Sequence, residues 1–455
     1  MNVVAEDLSA PLARHAAEYP SGALDDATIS HLQANLLDVI GVTLGGVNAT
    51  GLPELREFLG QTSSSGRSVL IGTATELTAP AAAFANAAAA HALEFDDAFD
   101  AGGGMHAGPV VHSVALAVAD ELGGVSGTEY LGAVAVGLDV AVRLAAAPSA
   151  DFGWHRASVF SVFGATVAAG RLIGLDAPAM RHALGLALSQ ASGSRQSIRD
   201  GSLSTRLHTG FAARNAITAA FLARAGFTGA AEIFDGPDGF IPLFQRGEFR
   251  RELVLDELGE QLQSSRISTK PFPGGRPTHA LLEAALELRG ELGEQEIDEV
   301  VVHAPPALAA QAGAAFPTTF AATYSLPYSI ALALATGSAP IAAFVEPLAA
   351  PDSVRAVYAR IRIVDDESGS THGVIEVHDR HGRTLRQVAS EASGGPSNPL
   401  PERARLAKLW SLYEYSGQPF GPDALREAIS LVEQLTGLSS TSKLTALLAA
   451  RERGL

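Results

Sequence analysis

128-TEYLGAVAVGLDVAVRLAAA-147 repeats apolar residues at three- and four-residue intervals, and its centre, 131-LGAVAVGLDVAVRL-144, is apolar on nearly every face. The first property marks an α-helix. The second marks one buried in a bundle or against a partner subunit rather than lying on a surface. The same spacing recurs in 27-ATISHLQANLLDVIGVTLGG-46, 112-HSVALAVADELGG-124 and 209-TGFAARNAITAAFLARAG-226, several of which close on glycine as helix ends do. Residues 25 to about 265 therefore read as helical, and an oligomer is expected.

Beyond 270-KPFPGGRPTHALLEAALELRGEL-292 the apolar period changes to two, in 297-IDEVVVHA-304, 359-ARIRIVDD-366 and 374-VIEVHDRHGRTLRQV-388, whose centre Asp379–Gly382 is turn chemistry. These strands flank a helical stretch, 316-FPTTFAATYSLPYSIALALATG-337, so the region reads as a compact α+β domain. A linker, 393-SGGPSNPLPE-402, leads to helices over 403–415 and 423–437 that are expected to rejoin the first domain. The expected fold is mainly α: a large all-helical domain over 1–267, an α+β lid over 268–398, and C-terminal helices over 399–455 that complete the helical domain.

The length of 455 residues exceeds what one core comfortably serves, and 47% apolar with 18% charged residues is a folded composition. A formal charge of −17 without a basic run argues against nucleic acid, although a local cluster of Arg, Lys and His still accommodates a small anion. With no cysteine there is no disulfide, thiolate nucleophile or Cys-ligated metal. The start 1-MNVVAEDLSAPLARHAAEYP-20 lacks the basic-then-apolar order of an export signal. Apolar runs such as 327-PYSIALALATGSAPIAAFV-345 are interrupted by Gly, Ser and Pro, so no membrane partner and a cytoplasmic location are expected.

No Walker loop, Gly-x-Ser-x-Gly elbow or His-Glu-x-x-His helix occurs. Four segments concentrate polar groups in apolar surroundings instead. In 91-HALEFDDAFDAGGGMHAGPVVHSVALAVADE-121, Glu94, Asp96, Asp97 and Asp100 precede three glycines and His106, with His112 opening a helix. That segment reads either as an acidic helix end with a glycine turn or as a site, and a metal held by Asp96, Asp97, Asp100 and His106 matches no known loop spacing. The second segment is 153-GWHRASVFSVFGATVAAGRLIGLD-176, where His155 is a helix cap or a catalyst. The third, 192-SGSRQSIRDGSLSTRLHTGFAARN-215, brings Arg195, Arg206 and His208 to a helix start suited to an anion. The fourth, 268-STKPFPGGRPTHALLEAALEL-288, holds Lys270, Arg276 and His279 and otherwise reads as a charged hinge.

Together these segments resemble one family. Glu-Phe-Asp-Asp with a downstream His, Gly-Trp-His before Phe-Gly-Ala, Leu-His-x-Gly-x-Ala-Ala, Lys-Pro-Phe-Pro followed by Arg-x-Thr-His, and Tyr324-Ser-Leu-Pro-Tyr328 stand in the order seen in the MmgE/PrpD family, over approximately residues 5 to 450. The resemblance implies a large helical domain with an α+β lid, a site between the two, a homodimer, and no metal or organic cofactor. It also implies a small di- or tricarboxylic acid as substrate, as in the family's dehydratases, decarboxylases and epimerases.

By position in those motifs, His106 and His155 resemble the acid/base pair, and Arg206, Lys270 and Arg276 the carboxylate clamps. Glu94 and Asp97 would orient the histidines, and His208, His279 and Tyr324 are further substrate-binding candidates. The leading expectation is a dehydratase- or decarboxylase-like lyase. An epimerase of an iminodisuccinate-like acid and a non-catalytic binding relative are the alternatives. The chain departs from the family pattern at Glu94, Ala98, Phe99 and Ala107, and Arg206 stands where the decarboxylases offer a lysine. Loss of a hydroxyl at Ala98 suggests a smaller or less hydroxylated acid than methylcitrate.

Overall fold

A computed structural model describes residues 6–293, 295–309, 315–318, 320–366 and 371–450. The first five residues of the stretch read for an export signal, and Thr319 within the helical stretch expected over 316–337, lie outside the described residues. The fold is mainly α, with small sheets. The chain divides into two compact units: Met1–Ala92, Asp96–Ser268 and Arg405–Leu455 form the first, and Leu93–Phe95 with Thr269–Ala404 form the second.

The core of the first unit is the opening stretch of sequence, now a helix over Gly127–Ala146. Ser126 and Glu129 satisfy its first N–H groups in a capping box, and every residue from Tyr130 to Ala145 is buried. Neighbouring helices of the same unit supply that burial, so the all-round apolar pattern needs no partner subunit to explain it. Helix Ser161–Leu172 crosses it at Gly137 and Gly164. A Cβ on Gly164 would stand 2.2 Å from the Gly137 carbonyl, so only glycine permits the approach. The two charges inside the helix pair with each other, Arg143 Nε donating to Asp139 Oδ1 at 2.9 Å, while His15 Nε2 lies 2.9 Å from Asp139 Oδ2.

Helices Asp26–Gly46, Ala79–His91, Gly108–Glu121 and Ser204–Arg224 complete the part of this unit that carries polar chemistry. The alanines of Ala79–His91 let it pack closely against both Gly108–Glu121 and Ser204–Arg224. Helix Pro422–Glu433 also belongs here, and Lys408 of the preceding helix Glu402–Tyr415 pairs with Asp38 at 2.6 Å. One element departs from the helical reading of residues 25–265: a ribbon of β1 (Ser65–Val69) and β2 (Glu76–Leu77), antiparallel and interrupted by a bulge. β1 reads Ser-Gly-Arg-Ser-Val and β2 only Glu-Leu, so no apolar alternation betrays the ribbon.

In the second unit, β3 (Ile297–Ala304), β4 (Ile361–Asp365), β5 (Val374–Asp379) and β6 (Thr384–Val388) form one sheet in the order β4-β3-β5-β6. β3 and β4 are parallel, and the other pairs are antiparallel. The β5–β6 hairpin is the one expected, its turn closed by the Asp379 carboxylate accepting from the His381 and Arg383 N–H groups. Helices His279–Leu292 and Leu326–Thr336 bury Leu281, Leu288, Ile330 and Leu334 in one core with Val300, Val302, Ile375 and Val377. The helix expected from residue 316 begins only at Leu326, after a 3-10 turn at Phe320–Tyr324. Ser325 accepts from the Tyr328 N–H and Pro327 fixes the first turn, which together set that start. Among the described residues, no helix is long and apolar enough to cross a membrane.

Candidate active site

The loop that leaves helix Ala79–His91 is pinned at several points inside the first unit. Ala98 exchanges backbone hydrogen bonds with Ser268 at 2.7 and 2.9 Å, and the Phe99 N–H donates to the Met105 carbonyl at 2.7 Å. Phe99 is buried in the core, 5.0 Å below the Arg266 guanidinium, so Ala98 and Phe99 work here as packing residues. The next helix starts at Gly108, whose N–H donates to Asp97 Oδ2 at 3.0 Å. A Cβ on Gly108 would stand 2.1 Å from that oxygen, so the glycine admits the carboxylate.

Pinned in this way, the loop places His106 beside His91, and His155 and His208 continue the row. Ring centroids lie 5.1 Å apart for His91–His106, 5.4 Å for His91–His155 and 4.9 Å for His155–His208. All four rings are at least nine-tenths buried. His91 comes from the end of the alanine-rich helix, His155 from the start of helix Arg156–Val159, and His208 from helix Ser204–Arg224. His155 holds the capping position, but its ring makes no cap hydrogen bond, because Nδ1 lies 3.0 Å from His208 Nδ1. One of those two nitrogens carries a proton and the other accepts it.

The buried Asp96 carboxylate serves the cluster. Asp96 Oδ2 lies 2.8 Å from His91 Nδ1 and 3.5 Å from His106 Nδ1. His106 Nδ1 also hydrogen-bonds the Asp97 carbonyl, which can only accept, so Nδ1 carries a proton. Burial, then the neighbouring His91, His208 and His106, push the His155 ring well below the ordinary imidazole range, with Asp96 opposing. His208 is lowered for the same reasons, burial first and His91 second. These two rings are therefore neutral bases near pH 7.

Asp97 behaves oppositely, pushed up to about 7 by burial, with Asn35 and the Gly108 N–H pulling it down and Asp96 and Asp38 pushing it up. A raised carboxylate ties stability to its neutral form. That contribution is complete below about pH 4 and is lost as the pH climbs through 7. Asp97→Asn is therefore expected to match the parent near pH 4 and to exceed it above pH 7, by roughly 2–4 kcal/mol, in denaturant titrations at the two pH values.

The other residues singled out in the sequence have occupations of their own. Arg206 donates to the Thr50 carbonyl, and being two residues from His208 on one helix it does not share that ring's direction. Within the second unit, Lys270 is fully buried, its Nζ 3.1 Å from the Glu94 carbonyl and 3.6 Å from Glu94 Oε2. Glu94 is held at φ 51°, a left-handed conformation uncommon outside glycine, while its carbonyl also accepts from the Gly274 N–H at 2.8 Å. Arg276 donates to the Ser393 and Ala392 carbonyls at 2.6 and 3.0 Å. His279 is fully buried with its ring edge-on to Phe272, and Tyr324 ends the 3-10 turn.

Sequence reading missed His91 as a site residue and gave Asp96 only as a metal ligand. The available signal was a lone imidazole closing the run 81-AAFANAAAAHAL-92, five residues before Asp96. His91, Asp96 and His106 are also the described residues able to hold a metal ion, their ligand atoms lying within 4.8 Å of one another. Asp97 and Asp100, the other ligands considered from sequence, are not in that group. Asp97 Oδ2 accepts from Asn35 and Gly108, and Asp100 Oδ2 accepts from Ser268 Oγ at 2.8 Å.

Comparison with known proteins adds to this geometry. A cis-aconitate decarboxylase-like protein, oryM, of Aspergillus oryzae is 29% identical over 270 residues, covering 56% of this chain and 56% of the relative. Cis-aconitate decarboxylase of Aspergillus terreus is 28% identical over 239 residues, 50% of this chain and 48% of the relative. The Mus musculus cis-aconitate decarboxylase is 29% identical over 278 residues, 59% and 56% respectively. The chain thus spans about half the length of the curated relatives it matches. Residues 10–252 match the MmgE/PrpD N-terminal domain and residues 272–432 the MmgE/PrpD C-terminal domain, and the chain belongs to the MmgE/PrpD family.

Proposed function

We propose that the chain is a cofactor-independent lyase, a decarboxylase or dehydratase, acting on a small di- or tricarboxylic acid by histidine-mediated proton transfer. The observation that carries this is the buried set of His91, His106, His155 and His208 around the Asp96 carboxylate. Neutral imidazoles accept a proton near pH 7, and the carboxylate supplies the negative charge an imidazolium needs once the proton has arrived. The names of the matched relatives favour the decarboxylase form.

In decarboxylation, the electrons of the broken C–C bond remain on carbon as CO₂ leaves, and a protonated imidazole returns a proton to that carbon. In dehydration, a neutral imidazole removes a carbon-bound proton while an imidazolium protonates the departing hydroxyl as water. Both courses need a charged ring, and dehydration needs a neutral one beside it, which the Asp96 carboxylate among four rings favours. A role in substrate binding for Arg206, Lys270, Arg276, His279 and Tyr324, and the homodimer, belong to the same proposal on the family resemblance alone.

A second reading, an epimerase, draws on the separate wiring of His106 to Asp96 and of His155 to His208. Two independently wired rings are what removal and return of a proton on opposite faces would use. Incubation with citrate-, aconitate- and iminodisuccinate-like acids in D₂O, followed by NMR, separates the two readings. A lyase gives a new unsaturated or CO₂-depleted product, and an epimerase exchanges the α-hydrogen without one. Absence of both across the panel would leave the non-catalytic reading.

A further inference from the structure

Behind the loop that carries His106, three polar side chains from three helices form one hydrogen-bonded line through an apolar core. Tyr130 OH lies 2.8 Å from His112 Nδ1, His112 Nε2 lies 2.9 Å from Asn35 Oδ1, and Asn35 Nδ2 donates to Asp97 Oδ2 at 3.0 Å. His112, Tyr130 and Asp97 have no solvent exposure and Asn35 has 3%. Core packing alone would have been served by apolar residues at these positions, and a buried polar line is costly unless every member is satisfied.

The donors and acceptors can be ordered without ambiguity once the amide is fixed. Asn35 Oδ1 only accepts, so His112 carries its proton on Nε2, and its Nδ1 accepts from the Tyr130 hydroxyl. Burial, and secondarily His31, lower His112 to about 3, so the ring stays neutral and keeps this one tautomer. The Asn35 amide then has an N–H left for Asp97, whose Oδ2 it shares with the Gly108 N–H. With its carboxylate held from two sides, Asp97 presents its main-chain carbonyl to His106 Nδ1.

We propose that Asn35, His112 and Tyr130 are positioning residues, a relay that fixes Asp97 and through it the Nδ1–H tautomer of His106 for its part in the reaction. That part in the reaction rests on the functional reading above, whereas the tautomer does not. Nitrogen-15 NMR of imidazole-labelled protein is the test, with Asn35→Leu and Tyr130→Phe beside the parent.

In the parent, His106 is expected to show its proton on Nδ1 and His112 on Nε2. In Asn35→Leu the His106 signal should move to a mixture of tautomers, and with an acid the parent turns over, kcat should fall ~10–100-fold while KM stays within about threefold. Tyr130→Phe, which removes one hydroxyl and keeps the ring, should shift His112 and lower kcat by a smaller factor, and it serves if Asn35→Leu fails to fold. A parent His112 protonated on Nδ1 would overturn the relay. So would a His106 signal unmoved in both folded variants. If the parent turns over none of the acids, the functional reading fails and the tautomers alone decide the relay.

Discussion

His155→Ala is expected to lower kcat/KM about 10³-fold, within the ~10²–10⁴ that a positioned acid or base contributes, with the melting temperature little changed. The ring caps no helix, so its removal takes away no cap, and the backbone N–H it leaves behind still donates to the Gly193 carbonyl at 2.9 Å. What disappears is one member of the proton-sharing pair with His208. His106→Ala should have a loss of similar size, and the double variant should lose far less than the product of the two, because rings that act as one unit do not contribute additively. Steady-state kinetics on the best substrate of the panel reads all three. Activity within threefold of the parent in both single variants would remove the histidines from the mechanism.

The fold was largely legible because its two halves use different periods. A spacing of three and four over residues 128–147 and of two over 297–304 follow from helix and strand geometry, and both segments formed as read. The β1–β2 ribbon was not legible, since two residues of β2 and a bulged β1 leave no alternation to find. The late start of helix Leu326–Thr336 was written in Ser325 and Pro327 but was overridden by the apolar run around them.

The site was legible in part, and for a different reason. His106, His155 and His208 stand in recognisable motifs, and the structure brings them together. His91 and Asp96 could not be assigned from spacing, because what makes them a pair is a turn of chain after a helix end. Asn35 and Tyr130 left still less trace: each is one polar residue in an apolar helix, and nothing local says that both face His112. Residues such as Arg206 and Arg276, expected as clamps from their position in the family motifs, have guanidinium hydrogen bonds to backbone carbonyls, a use that sequence cannot distinguish from anion binding.

Lys270 poses that question most sharply, and its answer is expected to be large. Glu94→Gln should cost about 3–5 kcal/mol of stability, because it removes one member of a buried ion pair. Lys270→Met should cost a comparable amount by removing the other. Replacing both, as Glu94→Gln with Lys270→Met, should recover at least half of either loss, since much of the damage in a broken buried pair comes from the charge left behind rather than from the absent attraction. The remainder comes from the Lys270 hydrogen bond to the Glu94 carbonyl and from the left-handed backbone at position 94, which a glutamine bears no better than a glutamate. Denaturant titrations of the four proteins measure the cycle. The same set separates stability from catalysis: if the double variant is as stable as required and still turns over no substrate, Lys270 or Glu94 acts in the reaction, and if activity returns with stability, the pair is structural.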